Sequence, residues 1–396
     1  MDYQTDEIRA GQTGWYREDD CRLGDFVALL TATEEPVLRY ATDVIQSIPV
    51  YECGSLNRVL DDARERTRLL SEWAGILRDG AGVLLLAHAF PDTRCVDEAT
   101  GVFESIIEHE RGAGSKADHF AKAGSNDRIW NAQEKLCLTA PRVFIEYFSN
   151  PWLIAAAESW LGPDFQFTSQ VNIVRPGGEA QQAHRDYHLG FQTADGAASF
   201  PAHVHLMSAY LTLQGAVAHS DMPVESGPTK LLPFSQRYAE GYVAWRRPDF
   251  RAYFENNFVQ LSLAKGDAIF FSPALFHAAG SNRTHDVQRT ANLLQISSAY
   301  GRAMEVLDRT RMSEAIYPIL LDRLRNGLTT AVEAASVIAA CAEGYSFPTN
   351  LDRDPPVSGL APESQNQLMH RALGEGWTPA EFSRALQEHA WRRRTD

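Results

Sequence analysis

A chain of 396 residues with a net charge of −14 lacks the clustered Lys and Arg needed to follow nucleic-acid phosphates, so no nucleic-acid partner is expected. Hydrophobic residues at 44% and aromatic residues at 10% supply a sizeable core and argue against a disordered chain. Cys21, Cys53, Cys95, Cys137 and Cys341 are scattered without a Cys-x-x-Cys spacing, which points to a reducing cytoplasm rather than a disulfide framework or zinc knuckle.

The N-terminus, from Met1 to Glu7, is acidic and polar where a signal peptide would be basic and then apolar. Residues 1–58 show no clear period and form an expected N-terminal extension to a domain spanning 59–300. From about Leu60 to Leu77, the spacing of Leu69, Leu70, Trp73, Ile76 and Leu77 predicts a helix, which Asp79-Gly80 stops. The apolar run from Ala81 to Phe90 follows. It is about half of the roughly 20 residues that a membrane helix requires, so it reads as a buried strand and no membrane partner is expected. A second helix is expected from Val96 to Arg111, and a mobile loop from Gly112 to Asp127.

Between about residues 165 and 300 the period becomes two. Phe167, Val171 and Ile173 alternate with Thr168, Gln170 and Asn172. His203 to Gln214 is an apolar run suited to a strand buried on both faces, and Val259, Leu261 and Leu263 alternate before the Lys265-Gly266-Asp267 turn. Several strands with long loops suggest a jelly roll. Beyond Tyr300 the helical period returns over 301–396, with capping boxes at Thr330 to Glu333 and Thr378 to Glu381. The last helix carries Phe382, Ala385, Leu386 and His389 on one side. Packing of that stripe within the chain is favoured over a subunit contact, and either a monomer or a homodimer is compatible. The run Arg392 to Arg394 reads as a solvated helix end.

Chemistry concentrates in four residues. In an extended segment His184 and Asp186 project from the same side while Arg185 points away, so both can reach one ion. His277 follows a turn and a strand, and Arg289 opens the next β-like run, Ala291 to Ser297. Two imidazoles and a carboxylate can cover one face of octahedral Fe(II), leaving adjacent positions for an oxo-acid and dioxygen. Arg289 would then fork onto the far carboxylate of that acid; its plain alternative is a surface ion pair.

A lone His-x-Asp is weak among 12 histidines, and His219-Ser220-Asp221 is a second example. The latter opens a turn-rich loop, where a polar turn explains it. Arg283 and His285 read as solvated loop residues. His203 and His205 share one face of the expected strand without a carboxylate to complete a set. Gln170 and Asn172 face either outer solvent or the interior of a small barrel holding a charged cosubstrate. Tyr187, His188, Phe191, Trp130 and Arg175 are pocket candidates for a small-molecule substrate, by proximity to the motif or by side-chain character.

Together these residues resemble the phytanoyl-CoA dioxygenase family, within the non-haem iron and 2-oxoglutarate-dependent oxygenases. The likeness runs over about residues 59–300. It takes in Leu77-Arg78-Asp79-Gly80 and the strand after it, Gln182 to Asp186, the Glu225 to Pro233 loop, Gly266-Asp267 through His277, Asn282 and Arg289. Ser226 stands where the family has Asn, and Phe234-Ser235-Gln236 where it has Gly-Ser-His. The resemblance implies an α+β protein with a double-stranded β-helix, or cupin-like jelly roll, flanked by helices, with a helical C-terminal extension. It also implies Fe(II) held by His184, Asp186 and His277, with 2-oxoglutarate anchored by Arg289. Dioxygen would be consumed, succinate and carbon dioxide released, and an unactivated carbon oxidised, with ascorbate as the reductant in vitro. Asp186 excludes the related halogenases, which have a small residue there. Desaturation and oxidative cyclisation use the same ligands as hydroxylation. A non-catalytic jelly-roll binding protein and a zinc hydrolase are the rival classes.

Overall fold

The computed structural model describes residues 14–32, 37–112, 126–356 and 359–395. Ten strands occur among them: β1 (Asp43–Ile45), β2 (Ile48–Glu52), β3 (Val83–Ala87), β4 (Asn126–Ile129), β5 (Gln166–Val174), β6 (Thr212–Ala218), β7 (Lys230–Leu232), β8 (Ala268–Phe271), β9 (Phe276–Ala278) and β10 (Arg289–Ser297). Eight form one sheet in the order β1-β2-β3-β8-β6-β10-β5-β4, antiparallel except for the parallel pair β2–β3. The smaller sheet is the antiparallel pair β7–β9. Bridges between His184 and His277, Leu231 and Val259, and Met222 and Leu263 extend it. A large sheet and a small one on either side of a cavity make an α+β double-stranded β-helix.

Alternation along the strands divides the large sheet into two surfaces. Phe167, Val171 and Ile173 on β5, Leu213 and Val217 on β6, Phe270 on β8, and Leu294 and Ile296 on β10 join the main hydrophobic core. Helices Ala63–Arg78, Arg94–Gly112, Pro141–Phe148, Pro151–Leu161 and Arg309–Arg325 supply its other half. The intervening residues turn the opposite way, and cross-strand register aligns them: Gln170 lies opposite Leu293, Leu293 opposite Ala216, and Ala216 opposite Ile269. That row borders the cavity. One face of the sheet is therefore structural, and the other is available for chemistry.

The C-terminal helices pack on the structural side. Phe382 of helix Pro379–Arg392 stacks on Tyr317 with ring centroids 4.0 Å apart, and Leu386 enters the same core. The two expected capping boxes form, and a third joins Ser364 to Gln367. Arg392 and Arg393 are half-buried rather than simply solvated: Arg392 meets Asp354 at 3.0 Å and Arg393 donates to Pro348 O at 2.8 Å. At the other end of the chain, β2 binds β3, so Asp43–Glu52 belongs to the large sheet.

Several local expectations are corrected. The segment from His203 to Gln214 is a helix, Ala202–Tyr210, followed by β6, not one strand. A short, evenly apolar run does not distinguish a strand from a helix by period, and Pro201 at the N-cap starts the helix. His203 is consequently exposed on that helix, whereas His205 is buried with Nε2 3.0 Å from Ala197 O. Val259 to Leu263 forms bridges rather than a continuous strand. The helix expected over Leu60 to Leu77 is two, Cys53–Asp61 and Ala63–Arg78, with Asp62 capping the second through Arg64 N and Glu65 N. Of the expected loop from Gly112 to Asp127, residues 113–125 lie outside the described residues, and Asn126 and Asp127 open β4. No helix among the described residues is long and apolar enough to cross a membrane.

Candidate metal centre and active-site cavity

His184 and His277 exchange both backbone hydrogen bonds, His184 N to His277 O at 2.9 Å and His277 N to His184 O at 3.1 Å. Such a directly opposed pair carries its side chains on one face. Their ring centroids are 4.5 Å apart. Asp186 N donates to Pro273 O at 3.1 Å, fixing the third residue beside them. The ligating atoms of His184, Asp186 and His277 all fall within 4.8 Å of one another, and this is the only such group of three or more found among the described residues.

The imidazoles present their outer nitrogens. Nδ1 of His184 lies 2.8 Å from Gln182 O, and Nδ1 of His277 lies 2.8 Å from Leu275 O. Donation of Nδ1–H to a carbonyl leaves Nε2 as the lone-pair atom, the tautomer that a metal-binding histidine uses. Phe271 packs against the His277 ring at 4.9 Å. The Nε2 atoms lie 3.7 and 3.3 Å from the two Asp186 oxygens. Burial alone would raise the Asp186 carboxyl, but His184 and His277 outweigh it and hold the group well below the usual carboxylate range. Burial and the neighbouring His184 hold His277 below the ordinary histidine value. For His184 burial acts in the same direction, yet Asp186 wins and raises it. A carboxylate and two directed imidazoles fit a divalent transition metal that keeps open positions.

A cavity of about 960 Å³ surrounds this group. Arg289, at the start of β10, borders it, is buried, and has no side-chain hydrogen bond or ion pair among the described residues. Burial pulls its guanidinium down to about 10. A desolvated cation without a carboxylate partner fits the far end of a dicarboxylate. Asn172 borders the same cavity, with Oδ1 buried and without a hydrogen-bond partner among the described residues. Gln170 is also there, taking Arg128 Nη1 on Oε1 at 3.1 Å. Gln170 and Asn172 thus both face the interior, not outer solvent.

The remaining candidates divide. Trp130 and Phe191 border the cavity, Trp130 with the Arg128 guanidinium 5.2 Å from its ring and Phe191 largely exposed. Tyr187, His188 and Arg175 are not among the lining residues. A positive φ of 62° turns Tyr187 away, so that its buried hydroxyl donates to Gln295. His188 begins the short turn His188–Phe191 and is half-buried. Arg175 pairs with the buried Asp127, which Arg111 also meets. Arg185 points away as expected, its guanidinium over the Tyr242 and Phe276 rings and bonded to Ser235 O and Tyr238 O.

The rival histidine, His219, sits on the structural side of the large sheet. Its Nε2 meets Tyr147 Oη at 2.9 Å and its Nδ1 meets Thr100 Oγ1 at 2.8 Å. Asp221 accepts Lys265 N, as a turn residue does. Arg283 and His285 are exposed. In the Glu225 to Pro233 loop, Gly227 has a φ of 76°, and a Cβ there would lie 2.4 Å from Ser281 O. Only glycine lets that loop pass the chain just before Asn282. Asn282 in turn donates to Val174 O and Val287 O.

Residues that sequence reasoning missed complete the site. Gln214 Nε2 donates to Asp186 Oδ2 at 2.6 Å. Trp245, Arg251, Met222 and Met304 also border the cavity. Gln214 ends the apolar run from His203, and a period of two counted from Thr212, the start of β6, turns it inward.

The family model for phytanoyl-CoA dioxygenase (PhyH) matches residues 76–291, more than half of the chain. Among curated relatives, dioxygenase andF of Emericella variicolor is 25% identical over 213 residues, covering 52% of this chain and 67% of that protein. Dioxygenase cdmD of Talaromyces verruculosus is 24% identical over 197 residues, 49% of this chain and 56% of that one. The matches thus span between about half and two thirds of these relatives. Among solved structures, the non-haem α-ketoglutarate-dependent epimerase SnoN from nogalamycin biosynthesis is 19% identical with a TM-score of 0.41, over 60% of this chain and 82% of that one. The chain belongs to the phytanoyl-CoA dioxygenase family of non-haem iron and 2-oxoglutarate-dependent oxygenases.

Proposed function

We propose that this chain is a dioxygenase that hydroxylates an unactivated C–H bond of a small organic, amino-acid-like or acyl substrate in specialised metabolism. The observation that carries the reading is the convergence of His184, Asp186 and His277, with both Nε2 atoms freed by Nδ1 contacts to carbonyls. In this reading those three side chains hold Fe(II). Arg289 binds the distal carboxylate of 2-oxoglutarate, with Asn172 and Gln170 beside it. When bound, iron and 2-oxoglutarate supply the oxidising power, with dioxygen consumed and succinate and carbon dioxide released.

The chain's own contribution is positioning and exclusion of water. Gln214 holds one oxygen of Asp186, which keeps that carboxylate from rotating. Met222, Leu263, Ile269, Phe271 and Leu293 give much of the cavity an apolar lining. Trp130 and Phe191 border the same space, where they would contact substrate. At about 960 Å³ the cavity has the size of one that encloses a drug-sized ligand, so it accommodates a substrate in addition to the small cosubstrate.

The direct test is succinate formation from 2-oxoglutarate with Fe(II), dioxygen and ascorbate. Native protein should turn over and His184→Ala should not. Equal rates in the two would remove His184 from the mechanism.

A further inference from the structure

We propose that Trp245 and Arg251 form an oxyanion-recognising wall of the active-site cavity, so that the substrate is a largely apolar molecule carrying one acidic group, a carboxylate or a phosphate ester. The inference rests on reading this cavity as the active site. Both residues border it together with His184, Asp186 and His277.

The charge arrangement around Trp245 is unusual for so acidic a chain. Two guanidinium groups lie close to the indole, with Arg246 3.9 Å and Arg251 5.7 Å from the ring centroid. No carboxylate forms an ion pair with either among the described residues. Arg246 spends its hydrogen bonds on carbonyls of Gly190, Gln192 and Tyr242. Arg251 makes no side-chain hydrogen bond or ion pair among the described residues. Asp249 is engaged with Arg247 and Glu255 with Lys230; Glu18 acts on Arg246 without forming an ion pair with it, and Glu179 borders the same cavity. Two like charges close to one ring repel, and an anion placed beside them would relieve this.

Trp245 Nε1 and Arg251 Nε are both buried without an acceptor among the described residues. Buried N–H groups ordinarily find one, and the Arg251 guanidinium, which borders the cavity beside the indole, matches an oxyanion. Arg289 does not duplicate this wall, because in the proposed reading the cosubstrate occupies it. The remaining lining, including Phe191, Met222, Leu263, Leu293 and Met304, suits an apolar body.

The test uses the full chain loaded with Mn(II) under nitrogen, with N-oxalylglycine as an inert cosubstrate analogue. Decanoate, decyl phosphate and decan-1-ol are titrated below their critical micelle concentrations, with tryptophan fluorescence and calorimetry as readouts. At least one acidic probe should bind roughly tenfold or more tightly than the alcohol. Preference for decyl phosphate would identify a phosphate ester, and preference for decanoate a carboxylic acid. Arg251→Met should abolish the preference while leaving decan-1-ol binding unchanged, and Trp245→Phe, which keeps the ring, should weaken it. Native protein that binds the alcohol and both acids equally, or Arg251→Met that keeps the preference, would overturn the proposal. Both variants should bind N-oxalylglycine normally. Failure of native Mn(II) protein to bind that analogue would instead overturn the active-site reading and this inference with it.

Discussion

Gln214 donates a 2.6 Å hydrogen bond from Nε2 to Oδ2 of Asp186, tying a proposed iron ligand to the middle of the large sheet. Its direct cross-strand neighbour, Gln295, accepts the hydroxyl of Tyr187. Two consecutive residues of the metal-binding segment are thus anchored to two facing glutamines. Partners of this kind orient ligands, and their loss costs about ten- to a hundredfold in metal affinity. Gln214→Leu should therefore weaken Mn(II) binding by roughly that factor with an unchanged far-ultraviolet circular dichroism spectrum. Native affinity in the variant would show that the hydrogen bond does not position Asp186.

Arg289 is the proposed clamp for the distal carboxylate. Removing one charge-assisted bidentate contact costs about 1.5–3 kcal/mol, or roughly ten to more than a hundredfold in affinity. Arg289→Ala should raise the 2-oxoglutarate concentration for half-maximal turnover by that factor. Mn(II) binding should be retained. An unchanged requirement for 2-oxoglutarate would assign the clamp to another residue.

His219 provides a pH signature away from the iron ligands. Burial beside Phe103 and Tyr147 depresses its imidazole to about 3. The native state keeps this residue neutral while the unfolded chain takes up a proton below about 6.5, so its contribution to stability is complete above that pH. It is lost as pH falls toward about 3, at about 1.4 kcal/mol per unit. Between pH 6.5 and 5 that amounts to about 2 kcal/mol. Urea unfolding at pH 7 and pH 5 should show a drop larger by about this amount in native protein than in His219→Gln. Parallel drops would mean that His219 is not held neutral in the folded state.

The stack of Phe382 on Tyr317 fixes the last helix to the core. Truncating a buried aromatic ring typically costs about 3–5 kcal/mol. Phe382→Ala should lower the urea midpoint accordingly in a single cooperative transition. A separate early transition confined to the C-terminal helices would show that they fold independently of the sheet.

The metal group was legible in the sequence because period-two alternation puts His184 and Asp186 on one side, and because a turn and a strand deliver His277. The decoy His219 is separated by the same parity. Leu213, Val217 and His219 face the helices, while Gln214 and Ala216 face the cavity. That parity was hidden because the helix Ala202–Tyr210 runs into β6 with only Leu211 between them and no turn residue to mark the change. Tyr187 and His188 were misplaced because consecutive positive φ angles, 62° and 40°, end the alternation just after Asp186. Trp245 and Arg251 lie in a helical stretch with no motif. Their place in the cavity depends on packing between distant segments, which local period does not encode.

Equilibrium binding of Mn(II), followed by electron paramagnetic resonance, tests the central claim most directly. Native protein should bind one ion per chain, and Asp186→Ala and His277→Ala should each lose that site while remaining folded. Undiminished one-to-one binding in either variant would place the metal elsewhere and contradict the account.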